Sequence, residues 1–290
     1  MERVTDEVAR AWELYQASEY ARLGAVLPGL LADARLGVDT SGPRTGPVRR
    51  DFALACHVAA VYLRKRGETN LAWTAVDQGD VAASGTGDPA VVLTLRRGVA
   101  HVQLGAGLAE EAARVTLDAA SDLAPGWWRS TPVNLSVYGT LFLNGAVAAA
   151  RMRDRALTDE MLAKAQEAAD LLGADRNEMW TSFGPANVGI HRLATALEFQ
   201  DVPAALELAD PARAFGLPVE RRARQRLDVA RAYGEAGRTD EAVDQLKRAY
   251  RTAPEQMRAH EFARDLARRL RTRTRRRDAQ ELAVRLGAVR

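Results

Sequence analysis

One stretch limits the folds open to this chain more than any bulk property does. From Ala223 to Glu255 the sequence reads ARQRLDVARAYGEAGRTDEAVDQLKRAYRTAPE. Apolar and small residues recur three and four apart on either side of Gly237, the signature of two amphipathic helices and a turn. Ala230 and Tyr233 fall on the packing face of the first helix, and Ala242, Leu246 and Ala249 on that of the second. The alanines let the two backbones approach, and Tyr233 fills the space beside them. Gly237 is expected to end the first helix, and Thr239 to cap the second, with Asp240 and Glu241 in its first turn. A pair this short cannot bury its apolar faces alone and needs neighbours of the same kind.

The spacing fits the tetratricopeptide template of about 34 residues, with Pro254 at the closing proline. Weaker copies follow the same frame. They place Ala60, Leu63, Ala72 and Val76 in one pair, and Ala113, Leu117 and Ala120 in the next. Ala149, Met152, Ala165 and Ala168 belong to a third, and Leu193, Ala196, Ala205, Ala209 and Ala212 to a fourth. Repeats are expected to begin near residues 53, 94, 142, 186, 223 and 257. A further helix pair precedes them, split at Ser18, with Pro28 expected to kink its second helix. Gly37–Pro47 reads as a flexible loop and Ala83–Pro89 as a second break. Strand alternation is nearly absent. The expected fold is all-α: a right-handed superhelical TPR-like α-solenoid of antiparallel helix pairs. It is read as one domain over 1–290: an N-terminal pair (1–36), irregular repeats (49–256) and basic capping helices (257–290). The first helices of the pairs should line a concave face, where such arrays usually bind.

Aromatic residues are 6% of the chain, so alanine and leucine must fill most of the core. The lone Cys56 excludes an internal disulfide and multi-cysteine metal sites, and reads as a small buried hydrophobe. No signal peptide and no membrane-length apolar run is apparent, so a cytoplasmic protein is expected. Net charge is +3, but residues 257–290 hold eleven arginines against four acids. The run RRLRTRTRRR (Arg268–Arg277) is either a solvated terminal cap or a phosphate-binding tail; it contains no aromatic to stack bases.

Several stretches resemble the C-terminal TPR-like region of actinobacterial XRE-type helix-turn-helix transcriptional regulators. They are AWELYQASEYARLGAVLPGLLADAR, SVYGTLFLNGAVAAAR, NEMWTSFGPANVGIH and VERRARQRLDVARAYGEAGRTDEAV. The most specific part is Phe-Gly-Pro-x-Asn-Val-x-x-His, Phe183 to His191. The resemblance implies signal sensing and support of dimerisation, coupled to a DNA-binding helix-turn-helix domain. That domain is missing here: EYARLGAVLPGL lacks the short glycine turn and polar recognition helix. Direct DNA binding by this chain is therefore not expected, and the partner would be an attached or separate helix-turn-helix domain.

The candidate ligand-binding residues centre on Asn177–His191. Asn187 is placed toward the groove, where its amide can both donate to and accept from a peptide backbone, with His191 one turn on. Trp180 and Phe183 would form an apolar wall at the groove's edge. The competing reading makes Gly184-Pro185 a turn, Asn187 a helix cap, and the aromatics filler between repeats. His57, Arg64, Arg153, Arg224 and Arg231 take inner-face positions in their own repeats. Together the arginines would favour an anionic ligand, unless each pairs with an acid across repeats. In PGWWRSTPVNLSVYG (Pro125–Gly139), Trp127 and Trp128 read as plugs, while Tyr138 is a candidate ligand contact. Catalysis is not expected: no phosphate loop, nucleophile elbow or zinc helix is present. The four histidines are scattered, and Glu110-Glu111 and Asp240-Glu241 suit helix starts. No cofactor or metal is implied. The expected function is a ligand- or peptide-sensing regulatory domain; the alternative is a scaffold that holds a partner peptide or helix.

Overall fold

A computed structural model describes residues 2–40, 46–210 and 212–289. Its regular elements are helices, and the one β-type contact among the described residues is an isolated bridge between Arg176 and Phe183. The chain gathers into two compact units, residues 1–15 with 19–188, and residues 16–18 with 189–290.

The first unit is built from α1 (Glu2–Gln16), α2 (Tyr20–Thr40), α3 (Gly46–Arg66), α4 (Thr69–Ser84), α5 (Pro89–Gly105), α6 (Ala109–Ser121), α7 (Pro132–Arg151) and α8 (Arg155–Leu172). Helices α3 and α4, α5 and α6, and α7 and α8 form successive pairs, and the first helices α3, α5 and α7 also touch in sequence order. This is the solenoid-like arrangement that repetition predicts. The sequence fixes several helix starts chemically. Asp88 accepts from the Ala90 amide, Thr131 from that of Asn134, and Asp154 from that of Leu157, at 2.9, 3.1 and 2.9 Å. Each such cap contributes about 1 kcal/mol. Pro89 and Pro132 stand at first-turn positions where their missing N–H does no harm.

The second unit begins inside α9 (Pro185–Glu198) and continues through α10 (Val202–Leu208), α11 (Val219–Glu235), α12 (Thr239–Thr252), α13 (Pro254–Ala259), α14 (Glu261–Arg273) and α15 (Arg277–Arg285). Its core joins Ala230, Ala242, Leu246 and Ala249 to Leu266, Leu270 and Leu282. Gly237 makes the α11–α12 turn at φ +77°, a conformation that disfavours any side chain.

Several local expectations are corrected. Leu117 and Met152 are exposed, because the buried faces of those pairs run through Ala112, Thr116 and Ala119, and through Ala148 and Ala149. Thr239 is the first helical residue and does not cap; Arg238 holds the cap position without a side-chain bond. Gly37–Thr40 are the last turn of α2 and Gly46–Pro47 the first of α3, while 41–45 lie outside the described residues. Pro28 stands inside helix α2, as expected, and the helix continues past it. Helix α10 stops at Leu208, leaving Ala212 exposed. Helix α7 is long and apolar enough to cross a membrane by composition, against the expectation of no such run. Most of it is buried inside this unit, as befits a core helix.

Candidate functional site

The residues between α8 and α9 form a compact loop, not an open rim. Its two ends are joined where the Arg176 amide donates to the Phe183 carbonyl at 2.8 Å. Inside that closure, Asn177 Oδ1 accepts from both the amide and the hydroxyl of Ser182, at 3.1 and 3.2 Å. Asp175 Oδ1 accepts from the Ala186 amide at 3.0 Å, which secures the first turn of α9. Met179, Trp180 and Ser182 all hold positive φ, at 48°, 53° and 50°. For side-chain-bearing residues such a conformation persists only where surrounding contacts impose it.

Those contacts come from the helices of the first unit. Trp180 stacks on Trp12 of α1, ring centroids 5.5 Å apart and planes within 7°. Trp12 in turn meets the His57 ring of α3 edge-on at 4.9 Å. Met179 packs against apolar groups of both the α1–α5 core and the Leu93–Val137–Leu141 cluster, and its sulfur lies 3.8 Å from an Arg50 guanidinium nitrogen. Phe183 is wholly buried, its ring seated over Gly139 of α7 so closely that a Cβ there would overlap it. The segment from Asn177 to Phe183 therefore lies as a strap over the row of first helices.

This placement revises the expected site. Phe183 is core, not an apolar wall at a groove's edge. Asn187 is buried as well; its amide points to the Thr181 carbonyl at 3.5 Å, and the capping acceptor of α9 is Asp175. His191 is 7% exposed in the second unit. His57 is buried, and its basicity is held well below that of a free imidazole by burial first and by the Arg97 charge second. Tyr138 is 8% exposed, stacked on Trp128 at 4.6 Å and tilted against Phe142. Arg129 lies over the outer ring face of Trp128 and pairs with Glu167. The tryptophans at 127 and 128 thus plug the unit, as the simpler reading holds.

The inner-face arginines divide between the units, Arg64 and Arg153 in the first and Arg224 and Arg231 in the second. Arg153 is exposed in the α7–α8 turn at φ +63°, and the stem of Arg64 lies along Gly105. In the second unit Arg224 pairs with Asp228 at 2.9 Å and lies 3.2 Å from His260 Nε2. Arg231 meets Glu235 at 2.7 Å and Glu198 at 3.6 Å, and donates to the Leu197 carbonyl. The basic run is also engaged: Arg268 and Arg269 with Asp265, Arg277 with Glu281, and Arg276 with Asp240, Asp244 and Asp278. Acids across or along the helices answer these charges. Cys56 is buried as expected, its thiol pushed up to about 12 by desolvation.

Sequence reasoning missed Trp12 and Gly139, which meet the strap at Trp180 and Phe183. A glycine inside the otherwise apolar helix α7 is the available signal of close approach.

Comparison with protein-family models and with curated proteins gives no match. Among solved structures the chain is similar to BtubC (BKLC) from P. vanneervenii, at 17% identity and a TM-score of 0.49, over 86% of this chain and 90% of that one.

Proposed function

We propose that this chain is a regulatory helical-repeat module whose signal, a short peptide or a small apolar-polar molecule, competes with the Asn177–Phe183 strap for the first-helix row of the first unit. The observation that carries the reading is the strap itself. It presents a peptide-like mixture of aromatics and backbone to α1, α3 and α7, in backbone conformations that its surroundings must impose. A signal that binds the strap-open form more tightly than the closed form shifts their populations, and only by that difference in affinity. An attached or partner helix-turn-helix domain would read the change, as the family resemblance implies. The pairing of a strained closure with a preformed surface supports a switch more than a passive filler.

A labelled peptide of this chain's own residues 175–185 tests the exchange. It should bind the double variant Trp180→Ala, Phe183→Ala, checked for native helicity, and not the intact protein. Amides 176–184 of the intact protein should also exchange with deuterium sooner than those of α3 and α7. A folded variant that ignores the peptide, with strap amides as protected as α7, refutes the proposal.

The scaffold reading is favoured by one separate feature. Phe215, in the loop after α10, is 82% exposed and so open to a partner's contact. On that reading Phe215→Ala weakens capture of a partner protein and leaves strap exchange unchanged.

A further inference from the structure

Helix α10 is the shortest second helix of any pair, seven residues against fourteen in α12 and eighteen in α8. Beyond it the described residues 209–210 and 212–218 are irregular, and the Gln225 amide of α11 donates to the Asp210 carbonyl at 3.0 Å. Helices α11 and α12 carry three arginines that meet no carboxylate among the described residues. Arg222 and Arg226 stand one turn apart on α11. Arg248 on α12 lies as far beyond Gly237 as Arg226 lies before it, so the antiparallel pair brings the two to the same height.

Several other arginines of this unit meet a carboxylate. The side chains of these three form no ion pair or hydrogen bond among the described residues, and the Nε of Arg222 is buried without an acceptor. The charges acting on Arg226 are those of Arg248 and Arg222; with burial, they hold its guanidinium below the ordinary basicity of arginine. Three guanidinium groups gathered without a counter-charge are unfavourable in the free protein. They are complementary to a multiply charged oxyanion, which arginine recognises through paired N–H donors.

We infer that Arg222, Arg226 and Arg248 form a binding site for a phosphate monoester on the α11–α12 pair. Its source is either a free phosphorylated small molecule or a phosphorylated peptide side chain. The site is independent of the strap, since all three arginines belong to the second unit.

The test is titration at low salt with phenyl phosphate and, separately, with a phosphoserine hexapeptide, followed by calorimetry and thermal shift. Uncharged phenol and the unphosphorylated peptide serve as controls. Arg226→Gln and Arg248→Gln should each weaken binding about tenfold. They should also melt no lower than the native protein when no anion is present, because the substitution relieves like-charge repulsion. Tighter binding of phenyl phosphate identifies a free metabolite, and tighter binding of the peptide a modified partner. Equal affinity in the native protein and both variants, or no binding of either probe, overturns the site.

Discussion

Gly139 and Phe183 offer a quantitative test of the strap. Gly139→Ala places a methyl group where the ring of Phe183 sits, so the ring, the strap or α7 must move. Overpacking of this kind typically costs about 1–3 kcal/mol. Phe183→Ala removes a wholly buried ring and should cost about 3–5 kcal/mol. Independent sites would add to about 4–8 kcal/mol in the double variant. Contact predicts otherwise. With the ring gone, the new methyl enters vacated space, and alanine is favoured over glycine within a helix by up to about 1 kcal/mol. The double variant should therefore be no less stable than Phe183→Ala alone, a coupling of about 1–3 kcal/mol. Guanidinium unfolding of all four proteins, followed by far-UV circular dichroism, measures it. Additivity to within about 0.5 kcal/mol would falsify the seating of Phe183 on α7.

The remaining predictions concern charge and turns. His57 is held neutral by burial, so its basicity is lower folded than unfolded. Stability should decline as pH falls below about 6.5, by up to about 1.4 kcal/mol per pH unit, and His57→Gln should flatten that decline in pH-dependent melting. Asp51 is 6% exposed and its carboxyl is raised above the ordinary value, chiefly by desolvation, although Thr5 donates to it at 2.6 Å. Ionisation there opposes folding as pH rises through 3.8 toward the folded value, so Asp51→Asn should stabilise the protein at pH 7 and leave it unchanged at pH 3. Asp278 behaves in the opposite sense: hydrogen bonds from Arg276 and Lys247 hold its carboxyl far below the usual range. Its contribution is present above the unfolded value and is lost as pH falls, and acid titration of Asp278→Asn should lack that component. Gly237→Ala must place a side chain at φ +77° and should cost about 1 kcal/mol in a chemical melt; no loss would mean that the turn relaxes.

The helix pair at 223–255 is legible because its constraint is local. Ala230 and Ala242 are small where two backbones must meet, and glycine stands where the turn needs positive φ. Such requirements are written in one residue type at one position. The copy at Leu117 misleads because a one-residue shift of helical phase keeps the pattern plausible while turning the side chain outward, and that at Met152 because α7 ends one residue earlier. The strap is illegible for another reason. Trp180 and Phe183 would look the same whether they met a ligand or their own chain. What decides is a distant glycine on α7 and a tryptophan on α1, far apart in sequence from the loop they hold. Likewise, inner-face position identifies Arg224 and Arg231 but says nothing of Asp228, Glu235 and Glu198, which occupy them. Arg222, Arg226 and Arg248 become visible as a group only once α11 and α12 are seen to pair.

Arg276 touches three carboxylates, two on α12 and one just inside α15, and Lys247 closes the ring on Asp278 at 2.6 Å. Dissolved ions loosen a clasp of this kind while leaving oily contacts intact. Concentrated sodium chloride should therefore peel α15 away from α12 before it disturbs α11. The chain's most cationic stretch then holds a buckle that ionic strength can undo.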